Sequence, residues 1–513
     1  MTDYSNLSKE ELIARLNALE KPSASAANAT LRGKGKKEKP MRPFDFSKHS
    51  CRPVAFKVAY LGWKYHGLAS QEGGSNVPTI ESELFKALHT ARLIPETNGR
   101  GCGWSRCGRT DKGVSSFGQV VACVVRSNLP KGAKGTCEWP METNNRAGKR
   151  KRESEDDDEE GGESRTRMEG VQEDEDSKEY IPIPDDFEEI PFVSRLNHLL
   201  PPDIRILAWS PTSPQFDSRF DCTYRRYRYF FPSEGLDLAK MQEAAKKYIG
   251  TKDYRHFCKV DPSKNVKSYV RTVLDASVEP LVVAGTGNGI PTYTNFEVAN
   301  QKGPVPPDSF LVFEVKGHAF LWHQVRCMTA ILHLIGRGLE PVDLIDDMTD
   351  LSKHPENSGR PIYGMASEIP LVLVECGFGE GVLDWRVDGD TAVSTAGAAG
   401  ISTAFRSSDA FTQLITGLWE QWREHSIQAA QVQSLLQMVA MDSFNHDSQV
   451  DLRNVFMEYG KEGVLGNASM ESGGFGGKSN KAYIPVMKRK RCDSIEERTV
   501  KYNESKKGKK GQQ

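Results

Sequence analysis

At 513 residues the chain is longer than one ordinary domain, and its 38% hydrophobic content with a mean hydropathy of −0.54 means that polar segments dilute a normal core. The formal charge of −1 excludes a uniformly basic or acidic protein, but it conceals blocks of opposite sign. No apolar run reaches the roughly 20 residues that cross a bilayer, no signal peptide opens the chain, and ten cysteines lack any C-x-x-C pair, so a soluble intracellular protein with free thiols is expected.

Residues 7–20 read as a short amphipathic helix, with Ser8 and Glu11 at capping-box spacing and a stripe of Leu12, Ile13, Leu16 and Leu19. Residues 21–50 are small, polar and basic, with Lys34, Lys36, Lys37 and Lys39 clustered, and read as a linker. Residues 1–50 therefore precede a first folded half, 51–131. Val54, Phe56 and Val58 alternate as a half-buried strand does. Thr79 is placed to cap a helix whose apolar face carries Ile80, Leu84, Phe85 and Leu88, with Glu81 and Glu83 in its first turn.

The densest chemistry follows in Arg106-Cys107-Gly108-Arg109-Thr110-Asp111-Lys112-Gly113-Val114. One carboxylate, Asp111, stands among three cations and between two glycines, and the buried-strand run Val120–Val125 anchors the loop. Arg106, Arg109 and Lys112 would keep Asp111 ionised, which suits a nucleophile or base. A surface turn with an ordinary ion pair is the bland alternative.

From 132 to 190 the composition breaks: Lys149-Arg150-Lys151-Arg152 precedes an acidic run from Glu153 to Glu160, and such a segment reads as a disordered insertion. A second half, 191–380, opens with Leu196–Pro201 and a strand from Ile204 to Trp209. In Tyr224-Arg225-Arg226-Tyr227-Arg228-Tyr229, strand alternation puts Arg225, Tyr227 and Tyr229 on one face and Arg226 and Arg228 on the other. Tyrosine interleaved with arginine suits stacking on bases and pairing with phosphates, although aromatic residues in strands are more often core.

A helix is expected over about 236–249, with strands at Val270–Val278 and Phe310–Val315; Gly285–Gly289 reads as a hairpin loop. His318–Arg326 begins a helix closed by Gly336, with Arg326 among apolar residues and so in need of a partner. His318, His323 and His333 are not spaced to share a metal on one helix face, and no metal is expected. Residues 381–485 hold a helical extension whose stripe of Phe411, Leu414, Ile415, Leu418, Trp419 and Trp422 is expected to pack on the body. Residues 486–513 read as a disordered basic tail.

Four ordered blocks, Arg106–Val120, Tyr224–Phe231, His318–Arg326 and Tyr363–Leu373, resemble the TruA family of tRNA pseudouridine synthases. Lys112-Gly113-Val114-Ser115 and Tyr363–Leu373 resemble its eukaryotic branch, acting on positions 38 and 39 of the anticodon arm. The resemblance implies an α+β fold of two ferredoxin-like halves sharing a central, mostly antiparallel sheet with flanking helices. It implies Asp111 as the catalytic residue, Arg326 as its ion-pair partner, Tyr227 against the target base, Arg109 holding the flipped nucleotide and Leu371 lining the uracil pocket. Arg225, Arg226 and Arg228 are further candidates for binding tRNA. The reaction needs no cofactor, and the implied partners are tRNA and a second copy of the chain. The basic clusters suit a nuclear as well as a cytoplasmic location. A non-catalytic RNA-binding protein of the same fold would not need Asp111 with Tyr227 and Arg326; the same chemistry at another RNA site is the other alternative.

Overall fold

Runs of β-branched and aromatic residues set the architecture, because each strand needs a neighbour for its backbone and a helix for its apolar face. The computed structural model describes residues 44–510 except 71–76, 140–179, 185, 262–265, 267, 282, 285–291, 294–309, 354–358, 389–408 and 444–482. The expected helix at 7–20 and both the basic tetrad at 149–152 and its acidic neighbour lie outside the described residues.

Among the described residues nine strands form one sheet: β1 (Ser50–Tyr60), β2 (Ser105–Arg106), β3 (Ser115–Ser127), β4 (Ile204–Pro211), β5 (Cys222–Pro232), β6 (Gly250–Asp253), β7 (Val270–Leu281), β8 (Phe310–Gly317) and β9 (Leu371–Phe378). Their order is β4-β1-β3-β9-β5-β8-β7-β6, with β2 paired to β3. The first half runs strand–helix–strand–strand–helix–strand, which is the ferredoxin-like connection, and the second follows it with one strand more, β6, β7 and β8 standing between its two helices. The first uses α1 (Ile80–Thr90) and α2 (Phe192–Leu199); the second uses α3 (Leu238–Lys246) and α4 (Gln324–Gly336). The halves join through the one parallel pairing, Val372 with Ser115 and Leu373 with Ser116, sealed by the Ser116 hydroxyl donating to the Leu373 carbonyl at 2.8 Å. All other pairings in this sheet are antiparallel, as expected.

Two apolar cores lie under the helices. Val54, Phe56, Val121 and Cys123 pack with Leu84, Leu88, Phe192 and Trp209; Tyr229, Phe231, Phe313 and Val315 pack with Met241, Tyr248, Met328 and Ile331. Thr79 caps α1 as expected, and Ser82 returns the bond: Ser82 N–H donates to Thr79 Oγ1 and Thr79 N–H to Ser82 Oγ. Asp237 caps α3 by accepting from Lys240 N–H. The ribbon of Val283–Ala284 with Thr292–Tyr293 flanks the expected hairpin loop, which lies outside the described residues.

Three expected boundaries move. The segment 191–211 belongs to the first half, since α2 and β4 complete its core; the insertion interrupts that half and does not separate the two. The insertion's flanks are packed: Ala133 bridges Ile181, Ile190 is buried, and Glu189 pairs with Arg52 at 3.0 Å. The start of the expected disordered tail is also packed. Val486 is fully buried, its N–H and the Tyr483 hydroxyl donate to Glu340, and Arg491 bridges Pro361. Apolar Val486 and the paired backbone overcome the charge of the surrounding lysines and arginines.

The extension helix, α5 (Asp409–Ser443), meets the body on a narrow edge. Leu414 is buried and His425 packs edge-on to Trp63 at 5.2 Å, whereas Ile415, Leu418 and Trp419 remain exposed. Only part of the expected stripe packs back.

His333 on α4 is buried against Phe231; its Nδ1–H donates to Thr329 O at 2.9 Å and Nε2 has no partner among the described residues. Burial pushes its pKa down to about 4. The unfolded chain, with histidine near ~6.5, therefore binds the proton first as pH falls, and stability drops from about pH 6.5 toward 4. Denaturant titrations at pH 7.5 and 5 should differ by about 2 kcal/mol more in the parent than in His333→Leu.

Candidate active site

Asp111 sits where the first half's loop meets the start of α4. The loop is built from the residues around it. Tyr60 OH and Thr110 Oγ1 are 2.7 Å apart, Leu68 N–H donates to Thr110 O, Gly113 N–H donates to Tyr65 O, and Val114 N–H closes a turn on Asp111 O. Gly113 needs its left-handed φ of +79°, and a Cβ there would lie 2.7 Å from Glu368 Cγ. Tyr65 therefore holds the loop through its backbone, while its hydroxyl donates to Asp203 at 2.6 Å.

The Asp111 side chain is 33% exposed, so a substrate can reach it. Trp322 Nε1–H donates to Oδ1 at 3.2 Å, and His323 Nε2 lies 3.3 Å from Oδ2. Neither contact is legible as chemistry in the sequence, where Trp322 reads as one more aromatic residue of its block and His323 only as a poorly spaced metal-ligand candidate. The available signal is their position, four and three residues ahead of Arg326, at the mouth of the helix.

Arg326 takes a different partner from the one the resemblance implies. Its Nη2 donates to Glu368 Oε2 at 2.8 Å and its Nε to Ala366 O at 2.8 Å. Glu368 comes from the segment leading into β9 and also packs on Gly113. The ion pair thus fastens α4 to β9 directly behind the Asp111 loop. Arg106 is likewise drawn away: with Trp104 it donates to Glu81, which is 2% exposed and needs those partners. Of the three expected neighbouring cations, Arg109 and Lys112 are the exposed ones.

Tyr227 lies beneath the loop: a Cβ on Gly108 would be 4.0 Å from its hydroxyl, and its ring meets Phe320 edge-on at 5.2 Å. Burial raises the pKa of its phenol, which stays protonated. Leu371, at the start of β9, is buried and in register with Tyr229, and Leu373 is in register with Tyr227.

The arginines of β5 divide as the alternation predicts. Arg226 pairs with Glu314 and Glu375, and Arg228 with Glu314, on the face away from Tyr227. Arg225 lies on the Tyr227 face, donating to Cys107 O, His318 O and Arg219 O at 2.7–3.1 Å. That geometry makes it a clamp joining the Asp111 loop to β8. Arg225→Ala should lower the melting temperature by several degrees, as expected from the loss of about 2–4 kcal/mol of charge-assisted bonds. Thermal denaturation reads this, and an unchanged melting point would show that the clamp is dispensable.

The site is thus a one-third-exposed carboxylate on a braced loop, with a protonated tyrosine beneath the loop and exposed cations beside it. Residues 244–379 match the family model described as tRNA pseudouridine synthase. The chain is 35% identical over 513 residues to the tRNA pseudouridine(38/39) synthase of Bos taurus, covering 97% of this chain and 88% of that one. It is 36% identical over 468 residues to the Homo sapiens protein of that name, covering 90% and 78%. With the Saccharomyces cerevisiae protein of that name it shares 36% identity over 400 residues, covering 75% and 73%. The chain belongs to the tRNA pseudouridine synthase family.

Proposed function

We propose that this chain converts uridine to pseudouridine at positions 38 and 39 of the tRNA anticodon arm, with Asp111 as the catalytic group. The observation that carries the reading is the Asp111 carboxylate, one-third exposed and held at the junction of the halves against Trp322 and His323. The relatives named for positions 38/39 support the substrate.

The reaction breaks the bond between C1′ and N1, turns the uracil and forms a bond between C1′ and C5; C5 loses a proton and N1 gains one. Nothing is oxidised and no nucleotide is consumed. A carboxylate serves it either by adding to the sugar at C1′ or by taking a proton from the sugar, and Asp111 suits both. The uridine must first leave its stack, at a cost of a few kcal/mol. By the resemblance, Arg109, exposed two residues before Asp111, holds the flipped backbone, Tyr227 packs on the base and Leu371 lines the pocket. Arg326 supports the loop through Glu368. Arg226 and Arg228 would meet phosphate only by sharing their carboxylate partners, so Arg109 and Lys112 contribute more to tRNA affinity. A homodimer, and residence in both nucleus and cytoplasm, accompany this reading on the strength of the resemblance and of the basic cluster at Lys34–Lys39.

The test uses tRNA labelled with tritium at uridine C5, which is released when the new bond forms. Release should require uridine at 38 or 39 and vanish when both are cytidine. Release that persists in that double-cytidine tRNA would move the chemistry to another site.

A further inference from the structure

We propose that Trp322 and His323 are positioning residues for Asp111, two uncharged N–H donors that each fix one carboxylate oxygen. The inference rests on the proposed function and assigns roles to residues that the comparisons leave without one.

The geometry is one donor per oxygen: the indole N–H on Oδ1 at 3.2 Å, the imidazole Nε2 on Oδ2 at 3.3 Å. Adjacent residues can reach both oxygens only if the backbone between them bends sharply. It does: His323 has φ +62°, one of two non-glycine residues at positive φ among the described residues. Such a conformation costs about 1 kcal/mol or more and persists where the surroundings demand it. Here His323 also forms the N-cap of α4, with Cys327 N–H donating to its carbonyl, so the helix fixes the bend.

The imidazole's other nitrogen supplies an independent observation. His323 Nδ1 is buried and has no hydrogen-bond partner among the described residues. An unpartnered Nδ1 fits a neutral ring whose single proton is on Nε2, facing Asp111, because a bare lone pair is cheaper to bury than an N–H on a charged ring. The surrounding charges agree. Burial together with Arg326, Lys259 and Arg360 holds the His323 pKa down to about 3. The indole is fixed too: Lys259 Nζ stands 4.7 Å from its centroid, Lys259 N–H donates to Trp322 O, and the His323 ring lies 4.7 Å away on a tilted plane.

A guanidinium in this place would engage both oxygens at once and neutralise the carboxylate. Two neutral donors orient it without cancelling its charge. That is the requirement for a group that must attack or deprotonate a sugar from a set direction.

The test compares Trp322→Phe, His323→Asn and His323→Gln in single-turnover pseudouridine formation, each with its melting temperature and tRNA affinity. Phenylalanine keeps an aromatic side chain but has no N–H to donate. Asparagine tolerates the left-handed backbone but is too short to reach, whereas glutamine restores an N–H donor at nearly the imidazole's reach. The expected result is a fall of about 10-fold or more in the saturated rate for Trp322→Phe and His323→Asn, with tRNA affinity unchanged and much of the rate regained in His323→Gln. The rate profile between pH 5.5 and 8 should keep its shape in His323→Gln. Unchanged rates in the folded variants would overturn the proposal. So would a loss confined to tRNA affinity, glutamine no better than asparagine, or a limb near neutral pH that glutamine abolishes, which would reveal a titrating imidazolium. A parent protein inactive on every tRNA would instead refute the proposed function itself.

Discussion

Asp111→Ala is expected to form no detectable pseudouridine while binding tRNA within about threefold of the parent, because its loss removes a group needed only in the reaction. The carboxylate contributes little to the fold. The loop is held by Tyr60 on Thr110, by Leu68 and Tyr65 through the backbone, and by Gly113 packed on Glu368, none of which uses the Asp111 side chain. Asp111→Ala removes the acceptor of Trp322 and His323, but Trp322 is exposed and the space left by the one-third-exposed carboxylate is open to water, which can replace it. A gel-shift titration and single-turnover conversion on the same preparation separate the two effects. Parallel loss of binding and turnover would mean that Asp111 holds the loop or the RNA and does not act on the sugar.

Gly62→Ala is the second large effect expected, and it arises outside the catalytic residues. A Cβ on Gly62 would sit 2.0 Å from the Val114 carbonyl oxygen and 2.5 Å from its carbon, a backbone that no rotamer change can clear. Gly62 N–H also donates to Ser115 Oγ at 3.0 Å. The loop must therefore move, carrying Asp111 away from Trp322 and His323, and a shift near 1 Å costs on the order of 100-fold in rate. Gly101→Ala is the control, since a Cβ there meets nothing closer than 3.8 Å. Turnover by Gly62→Ala equal to that of Gly101→Ala would show that the loop tolerates displacement.

Much of this architecture can be read from local pattern. Thr79 ahead of an amphipathic run marks a capped helix, and Arg225 to Tyr229 alternate as their strand faces require. The loop around Asp111 announces itself by its glycines and charges. Partner choice is where sequence falls short, because it depends on which groups are buried together. Arg106 turns to Glu81 and Arg326 to Glu368 since each buried charge takes the nearest opposite one, and those carboxylates are 25 and 42 residues away. The domain boundary misled for a related reason. The charged insertion looks like a divider, yet α2 and β4 beyond it are needed to close the first half's core. Trp322 and His323 were hidden because only the left-handed backbone at His323 turns two neighbours onto one carboxylate.

The central claim is tested most directly by incubating the pure chain with unmodified tRNA carrying uridine at 38 and 39, without added cofactor, and mapping pseudouridine by carbodiimide labelling and primer extension. Pseudouridine at those two positions, absent with Asp111→Ala, is the predicted result. Tight binding of the tRNA with no conversion at any position would contradict the account and leave an RNA-binding protein on this fold.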